Sequence, residues 1–165
     1  MTDITLMTDG GYFIYKAGAI IVHDKKVLLV KNTDFPYYYT VGGRVNYGET
    51  SEKAVAREVY EETGVHFEID RLAMIHENFF VADFLNNTFC HEIAFYYLMK
   101  PFPNINDLSC SSITDFGAKE SLYWIPVDEL SAYDVYPEFY KTELLDIKNE
   151  VQHFITKNNE TRRLS

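Results

Sequence analysis

The sequence is short of several things. Only two of its 165 residues are cysteines, Cys90 and Cys110, too few for a disulfide framework or for a zinc site built from thiolates. It has no run of about 18 consecutive apolar residues, which excludes a transmembrane helix. Met1-Thr2-Asp3 opens the chain without a basic stretch leading into an apolar one. No secretory signal is therefore expected, and the expected compartment is a reducing cytoplasm. Basic residues are scarce, with 15 Lys and Arg against 25 Asp and Glu, a net charge of −10. Broad nucleic-acid binding neutralises phosphates with Lys and Arg, so no stable nucleic-acid partner is expected. A small phosphate ligand stays open, because a bound divalent cation inverts the local field whatever the global charge.

Aromatic residues are plentiful, at 16% of the chain, and most are expected to fill a core. The length suits one domain over residues 1–165, with 1–11 and 158–165 loosely ordered. No repeat, linker or low-complexity segment divides it.

Apolar patterning gives a coarse architecture. Strands are expected at Tyr12–Val22, Val27–Lys31, Tyr37–Val41, across Val65–Val81 as one or two, at His91–Lys100 as the clearest interior strand, and at Leu122–Ile125. Turns are expected at His23–Lys26 and Asp83–Asn87, and a long loop over Pro101–Lys119. A helix runs from its N-cap Thr50, with Glu52 in the first turn, to a left-handed cap at Gly64. A turn of helix follows Trp124 at Pro126–Leu130. Tyr140, Leu144, Ile147, Val151 and Phe154 recur at helical spacing, which predicts an amphipathic helix from Pro137 to about Ile155. The expected fold class is α+β, a mixed sheet flanked by helices.

One stretch resists a purely structural reading. On the helix after Thr50, about 100° of rotation per residue brings Glu58, Glu61 and Glu62 into one arc, with Val55, Val59, Thr63, Ala56 and Tyr60 opposite. Like charges three and four residues apart cost about 0.2–0.5 kcal/mol per pair. Glu61 and Glu62 also sit in the last turn, where the helix dipole disfavours anions by about 0.3–1 kcal/mol each. A solvated acidic face is the bland alternative. The surroundings favour a cation: oxygen-only donors suit Mg²⁺ or Mn²⁺, which bind together with substrate phosphates. Arg57 can pair with Glu49 on the incoming loop, and Gly42-Gly43 lets backbone approach a ligand closely.

The segment Gly43–Val65 resembles the signature of the Nudix hydrolases, G-x5-E-x7-R-E-U-x-E-E-x-G-U with U aliphatic. Gly43, Glu49, Arg57, Glu58, Val59, Glu61, Glu62, Gly64 and Val65 fill every specified position. The resemblance implies an α/β/α sandwich and a MutT-like pyrophosphatase cleaving a nucleoside diphosphate linked to another moiety: ADP-ribose, a nucleotide sugar, a dinucleoside polyphosphate or a modified nucleoside triphosphate. It implies Glu58, Glu61 and Glu62 as metal ligands, Glu49 and Arg57 as residues that order the loop, and Gly43 as the residue shaping its backbone.

The general base is a box glutamate, Glu120 before Trp124, or Glu92 in the interior strand. Tyr12, Phe13, Tyr15, Tyr37 to Tyr39 and Phe79-Phe80 are candidates to stack a base; His76, His91 and Lys16 are candidates to touch phosphate or ribose. A non-catalytic nucleotide sensor of the same fold and an RNA 5′-end pyrophosphohydrolase are the competing readings. The expected assembly is a monomer or homodimer.

Overall fold

The computed structural model describes residues 2–82, 86–102, 108, 113–114, 117–157 and 160–164. Its strands are β1 (Thr5–Thr8), β2 (Gly11–Ile20), β3 (Val22–His23), β4 (Lys26–Asn32), β5 (Tyr38–Arg44), β6 (Ile69–Ala82), β7 (Thr88–Met99), β8 (Glu120–Pro126), β9 (Val135–Tyr136), β10 (Gln152–Lys157) and β11 (Glu160–Leu164). Helix α1 spans Ser51–Thr63 and the short α2 Tyr140–Glu143, with a 3₁₀ helix at Val127–Ala132.

The strands join in the order β11-β10-β6-β7-β2-β5-β4-β3, with β1 on β2, β8 on β4 and β9 on β5. β2 runs parallel to β7 and antiparallel to β5, so the sheet is mixed. Alternate residues of a strand face opposite sides, and here each side has its own core. Ala17, Ala19, Val30 and Val41 pack against Ala54, Val55 and Val59 of α1. Ile20, Leu29 and Tyr96 pack on the other side against Leu130, Phe139, Tyr140 and Phe154. Helical layers therefore cover both faces, the expected α/β/α sandwich.

The strands foreseen from patterning are present, and β7 is interior, between β6 and β2. The weakly patterned start is tied in as β1, whose backbone pairs with β2 although Leu6 and Met7 are exposed. Most of the loop expected over 101–119, and residues 83–85 of the expected turn, lie outside the described residues, as does Cys110.

The expected helix from Pro137 to Ile155 is not formed. Helix stops after Glu143, and Gln152–Lys157 is a strand parallel to Met74–Phe79 of β6. Val151, which a continuous helix would bury, is 48% exposed. The spacing misleads because Tyr140 and Leu144 are buried by the short helix while Phe154 is buried by the alternation of a strand. Between them lies the polar run Asp146, Lys148, Asn149, Glu150. Parallel pairing with β6 supplies hydrogen bonds that no local pattern announces.

Candidate active site

Helix α1 starts where the Thr50 side chain accepts a hydrogen bond from the Lys53 N–H at 3.3 Å. It ends at Gly64, which has φ 73° and donates its N–H to the Tyr60 carbonyl. The division of its faces differs from the expected one. Glu62 is buried with Ala54, Val55 and Val59, whereas Tyr60 is 47% exposed. A glycine pair lies opposite. A Cβ on Gly43 would lie 2.4 Å from the Glu58 carboxyl carbon, and one on Gly42 would lie 2.3 Å from the Ala17 carbonyl oxygen. With no side chain at Gly43, Glu58 tucks against β5 instead of pointing into solvent, while the bare Gly42 lets β5 lie close to β2. The Gly42 N–H faces both Glu62 carboxylate oxygens, at 3.3 and 3.4 Å.

Arg57 is the hub of the acidic group. Its Nε and Nη2 donate to the two Glu49 oxygens at 3.1 and 3.0 Å, a two-pronged pair. Nη1 donates to Glu58 at 2.6 Å and to Glu61 at 3.3 Å, and Nη2 also reaches the Arg44 carbonyl at 3.1 Å. Glu49 further accepts from the Asn46 backbone and side-chain amides. The box loop is thus tied to the helix through one guanidinium. The hydrogen bonds from Arg57 hold the Glu49 carboxyl below its usual range. Burial pushes Glu58 up against the opposing pull of Arg57, with the charges of Glu61 and Asp3 adding to the rise.

Three carboxylates, Glu49, Glu58 and Glu61, therefore share the Arg57 guanidinium, and a fourth, Glu62, lies on the same helix. Among the described residues, no three acidic, histidine or cysteine side chains close around an ion as they stand. Glu58 and Glu61 are turned to Arg57, and Glu62 to the Gly42 N–H. The donor set nonetheless fits a hard divalent cation. It is all oxygen, carries excess negative charge, and its member Glu61, though paired with Arg57, is half-exposed to solvent.

Glu120 opens β8 and is 8% exposed. Like Leu122 and Trp124 it faces the α1 side, and it accepts a hydrogen bond from the Tyr39 hydroxyl at 2.5 Å. Glu92 belongs to the opposite side of β7, in the same alternation as Ala94 and Tyr96, and lies 3.9 Å from Lys16. The structure thus brings Glu120 to the α1 side of the sheet and leaves Glu92 on the other. Tyr37 stacks on Phe35 and meets Tyr136 edge-on, while His91 sits between Phe13 and Phe79. His76 is buried against Thr156, next to Phe139. Sequence reasoning missed Asn32 and Asn46. Nothing local marks Asn32, but Asn46 sits three residues before Glu49, a spacing at which an Asn amide meets a following side chain.

Comparison with known proteins bears on this geometry. The NUDIX domain family model matches residues 14–143. A MutT-like protein of Streptomyces ambofaciens is 29% identical over 130 residues, 79% of this chain and 73% of its own length. An ADP-ribose pyrophosphatase of Methanocaldococcus jannaschii is 47% identical over 49 residues, 29% of its length. The crystal structure of a MutT NUDIX hydrolase from Burkholderia pseudomallei superposes with a TM-score of 0.53 at 28% identity, covering 70% of this chain and 84% of that one. With a match over most of its length and an unbroken box on α1, the chain belongs to the Nudix hydrolase family.

Proposed function

We propose that the chain hydrolyses, with a divalent metal, the pyrophosphate bond of a nucleoside diphosphate joined to a further group. The observation that carries this is the set of carboxylates held around Arg57 and against Gly42-Gly43. A fold under no demand beyond stability gains nothing by pressing Glu58 onto a glycine and burying Glu62 in the acid-disfavouring last turn of a helix.

Glu58, Glu61 and Glu62 would hold Mg²⁺ or Mn²⁺, which when bound stabilises charge on bridging phosphate oxygens and acidifies water. Arg57 and Glu49 fix the box loop, and the absent side chain at Gly43 leaves Glu58 its seat. Glu120, on the α1 side of the sheet, takes the proton of the attacking water. Most of the rate enhancement is then positioning and electrostatics.

The test is a hydrolysis screen with Mg²⁺ and Mn²⁺, reading nucleoside monophosphate and phosphate release. ADP-ribose, which the name of the Methanocaldococcus relative specifies for that protein, and an oxidised deoxynucleoside triphosphate head the panel, followed by nucleotide sugars and dinucleoside polyphosphates. Turnover that disappears on chelation supports the reading. Nucleotide binding without turnover moves it to a sensor, and turnover of triphosphorylated RNA alone moves it to RNA ends.

A further inference from the structure

We propose that Tyr39, aligned by Asn32, is the positioning residue for Glu120, holding its carboxylate as a hydrogen-bond acceptor on the α1 side of the sheet. This rests on the reading of Glu120 as the base.

The direction of each hydrogen bond can be deduced. Asn32 Oδ1 accepts from the backbone N–H groups of Asp34 at 3.0 Å and Phe35 at 2.9 Å. An amide oxygen only accepts and an amide nitrogen only donates, so these two donors fix which way the Asn32 amide points. Its Nδ2 must then donate to the Tyr39 oxygen, 3.2 Å away. With that oxygen accepting, the Tyr39 proton is directed to Glu120 Oε1 at 2.5 Å. Oε1 is committed as an acceptor, and Oε2 is the oxygen left to receive a proton from water.

The parts sit on rigid elements. Asn32 ends β4 and Glu120 begins β8, and the two are paired in register. Tyr39 lies on β5, paired with Val30 of β4. Three neighbouring strands therefore carry the relay, and a site on strands is held more closely than one on loops. Asn32 and Glu120 are 7% and 8% exposed, so water competes little for these bonds and a charge-assisted one is strengthened. Tyr39 packs against the apolar cluster that holds Ala54, Val55 and Val59 of the box helix, so the relay lies on that helix's side of the sheet.

A purely structural Tyr39 would only fill space between β5 and α1, and Phe would serve as well. The experiment is a double-mutant cycle on the full chain, with kcat and KM measured at saturating Mg²⁺ for ADP-ribose and for an oxidised deoxynucleoside triphosphate. E120Q is expected to lower kcat by about a hundredfold or more. Y39F is expected to lower it roughly tenfold, with KM within about twofold and no further loss when added to E120Q. A Y39F enzyme with wild-type kcat beside a slow E120Q overturns the positioning role and leaves the base reading standing. Wild-type kcat in E120Q overturns both. Losses that multiply in the double variant show that Tyr39 acts on its own, and also overturn the proposal. Should Y39F fail to fold, N32D keeps the Oδ1 acceptor but replaces the donor to Tyr39. It is expected to lower kcat at unchanged KM, and an unchanged kcat refutes the relay.

Discussion

Gly43→Ala separates the stability of the box from its chemistry. Gly43 is not in the left-handed region, so alanine adopts its backbone without strain, and the perturbation is a single methyl group. That methyl would stand 2.4 Å from the Glu58 carboxyl carbon and 2.5 and 2.6 Å from its oxygens, more than an ångström inside the contact distance of about 3.5–4.0 Å. What it meets is the end of a flexible side chain, which can rotate away. The fold then loses little beyond the 2.6 Å bond from Arg57 to Glu58, worth about 1 kcal/mol. That is a melting shift of roughly 2–4 °C for a chain of this size. The chemistry loses the position of a proposed metal ligand, and a displacement of about 1 Å costs on the order of a hundredfold in rate. The assay is paired: thermal melting of the metal-free protein, and kcat at saturating Mg²⁺. A variant with near-native melting and near-native kcat would show that the Glu58 carboxylate has no part in the reaction.

Three further outcomes follow from described contacts. Arg57→Lys cannot reproduce the two-pronged pair with Glu49, and is expected to lower kcat about 10–100-fold while the fold survives, as read by kinetics alongside circular dichroism. The His76 imidazole is pushed down to about 4, by burial and then by the charge of His153. Below about pH 6.5 the unfolded chain binds a proton that the native state refuses, so stability falls as pH drops from there toward 4, by up to about 3 kcal/mol. His76→Gln should flatten that slope in urea unfolding at pH 7 and 4.5, and a slope equal to wild type would remove His76 as its source. Val151→Asp should change stability by no more than about 0.5 kcal/mol; a loss of several would restore a buried position there and with it the continuous helix.

How much was legible in the sequence depends on how far apart the partners lie. Thr50, Gly64 and the spacing of Glu49, Arg57, Glu58, Glu61 and Glu62 are local, so the caps, the helix and its acidic crowding could be read directly. How deep the crowding sits could not. Glu58 seats against Gly43 and Glu62 meets the Gly42 N–H, both on another strand that helical rotation alone cannot see. Glu120 could be named from its place before Trp124. Its tie to Tyr39 spans 81 residues and exists only because β5 and β8 both pair with β4. The C-terminal helix failed for the same reason. Apolar residues three or four apart fit both a helix and a turn followed by a strand, and the choice was made by β6.

That last pairing has a consequence away from the active site. Met74–Phe79 has β7 on one side and β10 on the other, and β10 and β11 lie beyond residue 143, where the family match ends. Stripped of them, β6 would present a row of unpaired N–H and C=O groups beside Met74, Ile75 and Phe79, the kind of bare margin onto which a second chain adds itself. β10 and β11 thus act as a hem that covers the margin of β6, while the proposed site residues, from Gly42 to Glu120, lie within the stretch that the family match spans.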